Sequence, residues 1–281
     1  MVRFGINLWN WTPVFSDEHM DLIDRAAKIG FGAVEIGMNQ TGFNYKEVKN
    51  HIDANGLELT LCAALTKGRD ISNFDEEIRK NAKRYMIDCF KAGGKMGAKL
   101  FVGPVFAGGG KAHDLSLDDS KREWHLAVLG IREMADEASN FGITIGLEPI
   151  NRYRTSVVNT AEQALRMIYD IDKPNVGILF DTYQANIEES SISSALESVL
   201  KANKLVHFHA CENHRGAPGT GHIPWKDLIS ILKKYKYQGH LTMETFAKGG
   251  LDAGWYPLAK TQDELARIGL ENLQSFYKMT I

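Results

Sequence analysis

Glu148, Asp181, His209 and Glu244 are side chains of the kinds that bind metal ions, and they follow one another at intervals of 33, 28 and 35 residues. Each sits at or just past the end of a short β-branched or apolar run: ITIGLEP (143–149), NVGILFD (175–181), LVHFHA (205–210) and HLTMET (240–245). Three carboxylates gathered around one imidazole would repel one another unless a divalent cation held them. Oxygen-rich coordination with one imidazole suits Mn²⁺, Co²⁺ or Mg²⁺, with Mn²⁺ the first choice, because zinc more often recruits extra histidine or cysteine. His207 shares a strand face with His209 but lies deeper, which makes it a packed or supporting histidine. Taken singly, each carboxylate could equally be a helix cap or an ion-pair member; four at matched positions argue for a site.

Something must bring these strand ends together. Four further strand-like runs precede them, RFGINL (3–8), AVEIG (33–37), LELTLCAAL (57–65) and AKLFVGP (98–104). Between them DEHMDLIDRAAKIG, YKEVKNHIDANG and FDEEIRKNAKRYMIDCFKAGGKMG repeat apolar residues at helical spacing and finish near glycine. Further helices are expected to begin near Asn159, Glu188, Pro224 and Gln262. Eight strands alternating with helices predict a (β/α)₈ TIM barrel over residues 1–281 as one domain, with the candidate ligands on its carboxyl-terminal face. A doubly wound open sheet would place its ligand at one switch point instead of at four successive strand ends. The longest irregular stretches, GPVFAGGGKAHDLSLDD and CENHRGAPGTGHIPW, follow strands and would border the same face.

Composition narrows the function. A chain of 281 residues with Lys+Arg 33 against Asp+Glu 35 carries a net charge of -2, which gives no support to a nucleic-acid partner. Cys62, Cys89 and Cys211 are odd in number and lack CxxC spacing, so a reduced, cytoplasmic location is expected. No apolar run reaches the ~18 residues needed to span a bilayer, and no export signal is read at the N-terminus. No membrane partner is expected.

The segments GLEPINRYRTSVVNT, FDTYQANIEES, HFHACENHRGAPGTGHIPW and METF resemble the D-tagatose 3-epimerase and D-psicose (allulose) 3-epimerase group of sugar isomerase/epimerase barrels. The resemblance covers essentially the whole chain. It implies that Glu148, Asp181, His209 and Glu244 bind one Mn²⁺ or Co²⁺, that Glu148 and Glu244 are the catalytic acid/base pair, and that Arg215 grips a small-molecule sugar. It also implies a homodimer or homotetramer. The chemistry is consistent: a proton beside a ketone becomes removable when the enediolate charge is stabilised, and inversion needs one carboxylate on each face of the carbon.

Three positions depart from that pattern. Arg154 stands where the free-ketose epimerases have a second glutamate, and Gln184 where they have a histidine; there both positions handle the C1 to C3 oxygens. Gly108–Gly110 replaces a region that tends to carry a tryptophan closing over the sugar. Arg154 offers a fork suited to carboxylate or phosphate, or an ordinary ion pair. The three glycines beside Lys111 could cradle a phosphate, admit a larger glycoside, or form a plain flexible loop. These departures predict a modified keto-sugar, phosphorylated, oxidised or glycosidic, over free fructose or psicose.

Trp9, Trp11 and Phe106 are candidates for stacking on the sugar, with Trp11 and Phe106 counted among the substrate contacts. Glu35 is expected to contact substrate or support the site, Trp255 and Tyr256 to shape the rim or a subunit contact, and Cys211 to be a bystander. Aldose-ketose or inosose isomerisation, dehydration, and 3-keto-glycoside epimerisation or cleavage remain alternatives on the same barrel. A non-catalytic sugar-binding barrel would be expected to have lost a ligand or one glutamate. A three-zinc nuclease of the endonuclease IV type would need more strand-end histidines.

Overall fold

A computed structural model describes residues 2–250 and 256–280; Trp255 lies outside the described residues. Its eight parallel strands are β1 (Arg3–Asn7), β2 (Ala33–Gly37), β3 (Glu58–Cys62), β4 (Leu100–Gly103), β5 (Thr144–Leu147), β6 (Val176–Asp181), β7 (Leu205–Ala210) and β8 (His240–Met243). They close in sequence order into a barrel, with β1 pairing β8. The expected fold is observed.

Around the strands run α1 (Asp21–Ile29), α2 (Tyr45–Ala54), α3 (Glu76–Met96), α4 (Leu117–Ser139), α5 (Ala161–Ile171), α6 (Thr182–Glu188), α7 (Ile192–Lys201), α8 (Trp225–Lys234) and α9 (Gln262–Met279). Local chemistry sets their ends. The Asp75 side chain accepts from Glu77 N at the start of α3, and Gly97, at φ 85°, closes the helix in the left-handed region that glycine enters without a Cβ clash.

Two helices correct the sequence expectation. The irregular stretch after β4 gives way to α4 at Leu117, because Ser116 caps the first turn and Asp118 and Asp119 favour it. The short α6 starts directly at the end of β6, where Asp181 Oδ1 accepts from Tyr183 N at 2.7 Å and from Gln184 N at 3.0 Å.

Strand alternation splits the interior into two faces. The outward face packs with the helices into the main apolar core, from Ile6, Ile36 and Phe101 to Leu241 and Met243. The inward face holds a smaller cluster, Cys62, Val102 and Leu179 with Trp9 and Leu100 against it, together with Glu35, Thr60, His207 and His209, all buried. A barrel interior this polar must satisfy its groups internally; Asn7, Thr60 and His209 meet Glu35, while both His207 ring nitrogens and His209 Nδ1 make no hydrogen bond among the described residues. No helix among the described residues is long and apolar enough to cross a membrane.

Candidate active site

Register places the cluster. Asp181 on β6 is the Cα partner of His209 on β7, while Glu148 and Glu244 each follow the last residue of β5 and β8. All four are buried. Oxygen or nitrogen atoms of Glu148, Asp181 and His209 lie within 4.8 Å of one another; Glu244 joins Asp181 and Cys211 in a second such group, and His209, Glu35 and Cys62 in a third. The four residues singled out in the sequence do converge.

Glu35 holds the floor of this cluster. Its Oε1 accepts from Asn7 Nδ2 at 2.8 Å, its Oε2 accepts from Thr60 Oγ1 at 2.9 Å, and His209 Nε2 lies 2.8 Å from Oε1. His207 Nε2 is 3.0 Å from Oε2, without hydrogen-bond geometry. Burial alone would raise the Glu35 carboxyl, but the two imidazoles hold it well below the usual carboxylate range. Burial pushes His207 down to about 4 despite Glu35, so it is neutral at pH 7. Glu35 supports the site rather than lining the cavity.

The cluster could hold a cation. Burial and the neighbouring Asp181 and Glu244 push Glu148 well above the usual range, and burial raises Glu244 although His209 and Arg215 oppose it. Asp181 is buried too, yet Arg215 and His209 keep its carboxyl low. His209, against its burial, is raised well above the usual histidine value by Glu35 and Glu244. Its Nδ1 makes no hydrogen bond while lying 3.4 Å from Glu244 Oε1 and 3.7 Å from Asp181 Oδ2. An orphaned imidazole nitrogen aimed between two carboxylates, with a third nearby, fits a hard or borderline divalent ion.

Arg215 arrives from the loop after β7. Its Nη1 donates to Glu244 Oε2 at 2.9 Å and to Asp181 Oδ2 at 3.3 Å, and its guanidinium lies 3.9 Å from the Tyr183 ring centroid and 5.1 Å from that of Phe246. Its φ of 61° is unusual for arginine. Glu212 imposes that conformation: its backbone oxygen accepts from Arg215 N, and its buried carboxylate accepts from Gly219 N, Ile223 N, Asn213 N and the Trp225 indole. Sequence reasoning missed Glu212. A carboxylate inside a glycine-rich loop, surrounded by backbone N–H donors, was the available signal.

A cavity of about 720 Å³ opens above the cluster, and Glu148, Glu244, Arg215, Arg154, Gln184 and Phe106 line it. Gln184 is oriented by Asn151, whose N and Nδ2 donate to its Oε1 at 3.0 and 2.7 Å. Trp11 is not in the cavity wall. A 3₁₀ turn over Leu8–Asn10 breaks the strand period after β1, so Trp9 enters the cavity, stacked on Phe246, and the Trp11 indole turns to donate to Asp263 on α9. Cys211 sits within the cluster: its Sγ lies 3.3 Å from Asp181 Oδ2 and donates to the Glu244 carbonyl.

The glycine loop is no phosphate cradle. Gly108 N donates to Asp70 Oδ1, Gly109 N to Leu65 O and Gly110 N to Arg154 O, while Lys111 is paired with Asp70 and Glu123. Its glycines serve close packing: a Cβ on Gly108 would come within 2.7 Å of Asp70 Cβ.

Comparison with known proteins agrees with this geometry. The family model of the xylose isomerase-like TIM barrel matches residues 23–276. The chain belongs to that family. Within it, the chain is 31% identical to the ketose 3-epimerase of Arthrobacter globiformis, over 88% of this chain and 84% of the relative. It is 30% identical to the 3-dehydro-D-guloside 4-epimerase of Escherichia coli, over 77% and 83%. The crystal structure of D-psicose 3-epimerase with D-tagatose from Clostridium cellulolyticum H10 superposes with a TM-score of 0.90 at 28% identity, covering 98% of this chain and 99% of that one. This xylose isomerase-like barrel is therefore a ketose 3-epimerase homologue, an isomerase-class carbohydrate epimerase.

Proposed function

We propose that the enzyme is a divalent-metal-dependent epimerase of a ketose or keto-sugar, inverting C3 through a cis-enediolate. One observation carries the reading: Glu148 and Glu244, from β5 and β8 with two strands between them, both border the cavity, whereas Asp181 and His209 are absent from its wall. Glu148, Asp181, His209 and Glu244 would hold the cation, with Mn²⁺ first and Co²⁺ or Mg²⁺ able to replace it. When bound, it stabilises the negative charge that develops on the substrate oxygens.

The protein's own part is proton transfer and positioning. One glutamate takes the proton from C3 as carboxylate and becomes the acid; the other, protonated beforehand, delivers its proton to the opposite face. Their roles exchange with direction. Arg215 and Gln184 orient the sugar, Phe106 and Trp9 cover it, and Arg154 stands on the same wall.

Deuterium incorporation from D₂O tests the reading. Glu148→Gln and Glu244→Gln should each lose about 10²–10⁴-fold in exchange and turnover while still binding metal. Full exchange in either metal-loaded variant overturns it.

A modified keto-sugar is the preferred substrate in this reading, because the cavity exceeds the needs of a twelve-heavy-atom ketohexose and Arg154 adds a cation to its wall. Robust turnover of free psicose at low millimolar concentration overturns that preference. The likeness to a 3-dehydroglycoside 4-epimerase favours a second reading, epimerisation of a 3-keto-glycoside at the neighbouring carbon. Product stereochemistry separates the two. A homodimer or homotetramer is proposed from the family resemblance, for sizing chromatography to check.

A further inference from the structure

We propose that the outer half of the cavity receives an anionic group, a carboxylate or a phosphate, at the end of the sugar farthest from the reacting carbon. This rests on the epimerase reading above, which sets the reacting carbon beside Glu148 and Glu244.

The two ends of the cavity differ in burial and in charge. Glu148, Glu244, Arg215 and Gln184 form a buried inner end. The outer end is built by the loop after β3, with Thr66, Lys67 and Gly68 exposed and Arg69 half-buried, facing exposed Gly109 and Gly110. Among the described lining residues the only carboxylates are Glu148 and Glu244, both at the inner end. Lys67 and Arg69 thus bring two positive charges to the mouth, and no acid among the described lining residues there answers them.

These cations belong to an ordered loop. Arg69 N donates to Thr66 O at 2.9 Å, closing the turn that contains Lys67. The Arg69 guanidinium lies 4.0 Å from the centroid of Tyr85, a cavity-lining ring fixed by its hydroxyl, which donates to Met38 O at 2.5 Å. The Lys67 stem lies beside Gly110, where a Cβ would stand 3.4 Å from Lys67 Cε. Lys111, next to Gly110 in the chain but not in the cavity wall, shows the contrast: Asp70 and Glu123 neutralise it within the protein. Lys67 and Arg69 make no ion pair among the described residues.

A guanidinium fork with a neighbouring ammonium matches carboxylate and phosphate oxygens. Cationic walls around a concave site also concentrate anions near it. Binding energy from that remote charge would lower KM and, where it orients the reacting carbon, raise kcat.

Metal-loaded, full-length protein should be assayed with matched neutral and acidic ketoses: D-fructose against its 6-carboxylate and its 6-phosphate, and a glucosyl-ketose disaccharide against its glucuronosyl counterpart. The acid should win by roughly 10-fold or more in kcat/KM for at least one pair, as expected of charge-assisted hydrogen bonds. Which pair wins separates carboxylate from phosphate. The preference should shrink at high ionic strength, fall in Lys67→Gln and Arg69→Gln, and be largely kept in Arg69→Lys. Neutral sugars turned over as well as acidic ones, or a preference untouched by both glutamine variants, overturn the proposal and leave the epimerase reading standing. No exchange with any sugar overturns the epimerase reading itself, and this proposal with it.

Discussion

Glu35 and His209, 174 residues apart, meet at 2.8 Å in the barrel interior, and this contact fixes which imidazole nitrogen faces the carboxylates. With Nε2 engaged by Glu35 Oε1, Nδ1 is left pointing between Asp181 and Glu244. Glu35→Gln keeps the shape but offers an amide whose nitrogen cannot accept from an imidazole. Metal affinity should fall about 10–100-fold, as for other carboxylates that orient a ligating histidine. Titration calorimetry with Mn²⁺ checks this; an unchanged Kd would mean that the contact is structural alone.

Arg215 and a bound cation draw on the same oxygens, because its Nη1 lies within 3.3 Å of both Asp181 and Glu244. Arg215→Met should therefore destabilise the metal-free protein by about 3–5 kcal/mol, the usual cost of breaking a buried pair. It should at the same time tighten Mn²⁺ binding and lower turnover. The gap in Tm between metal-free and metal-loaded protein should widen; a gap equal to that of wild type would count against shared oxygens.

Strand positions and ligand types were legible because both depend on local pattern: AVEIG and HLTMET read as strands from their side chains alone. The supports of the site were legible only in part: Glu35 and His207 stood out as candidates, but not what they hold. Glu35 is a lone carboxylate in an apolar run, and its role depends on Asn7, Thr60, His207 and His209, contributed by three other strands. Trp9 and Trp11 show a different limit, since their spacing of two would share a face in a strand but not across a 3₁₀ turn. Asp181 proved to be both alternatives, capping α6 through Oδ1 while its Oδ2 faces Arg215. The glycine loop stayed open in the sequence between a phosphate cradle and a plain loop because a cradle requires unoccupied N–H groups, and occupancy is a tertiary property.

Asp70 ties the loop after β3 to the loop after β4, accepting from Gly108 N at 2.8 Å and pairing with Lys111 at 2.7 Å. Its burial would raise the carboxyl, but Lys111, Gly108 and Ser72 hold it below the ordinary value. A depressed folded-state value means that the contribution is full above the unfolded pKa of ~3.9 and is lost as pH falls through the lower folded value. Asp70→Asn should cost roughly 1–3 kcal/mol at pH 7 and flatten the acid limb of stability below about pH 4. Denaturant melts from pH 7 to pH 2 test this; an acid limb as steep as that of wild type would rule Asp70 out as its source.

Gly37, at the end of β2, leaves room for the Trp9 ring: a Cβ there would stand 2.2 Å from Trp9 Cε2 and Nε1. Backbone strain is not the issue; the indole itself must move. Trp9 is held by stacking on Phe246 at 5.6 Å between centroids and by donating to Asn39 Oδ1 at 3.0 Å, and both contacts shape the cavity wall. Gly37→Ala should displace the ring at a cost of about 1–3 kcal/mol, typical of overpacking. Because Trp9 touches the cavity rather than the carboxylate cluster, KM for the sugar should rise several-fold while the Mn²⁺ Kd stays near that of wild type. Equal losses of metal and sugar affinity would instead indicate that the barrel top had rearranged as a whole.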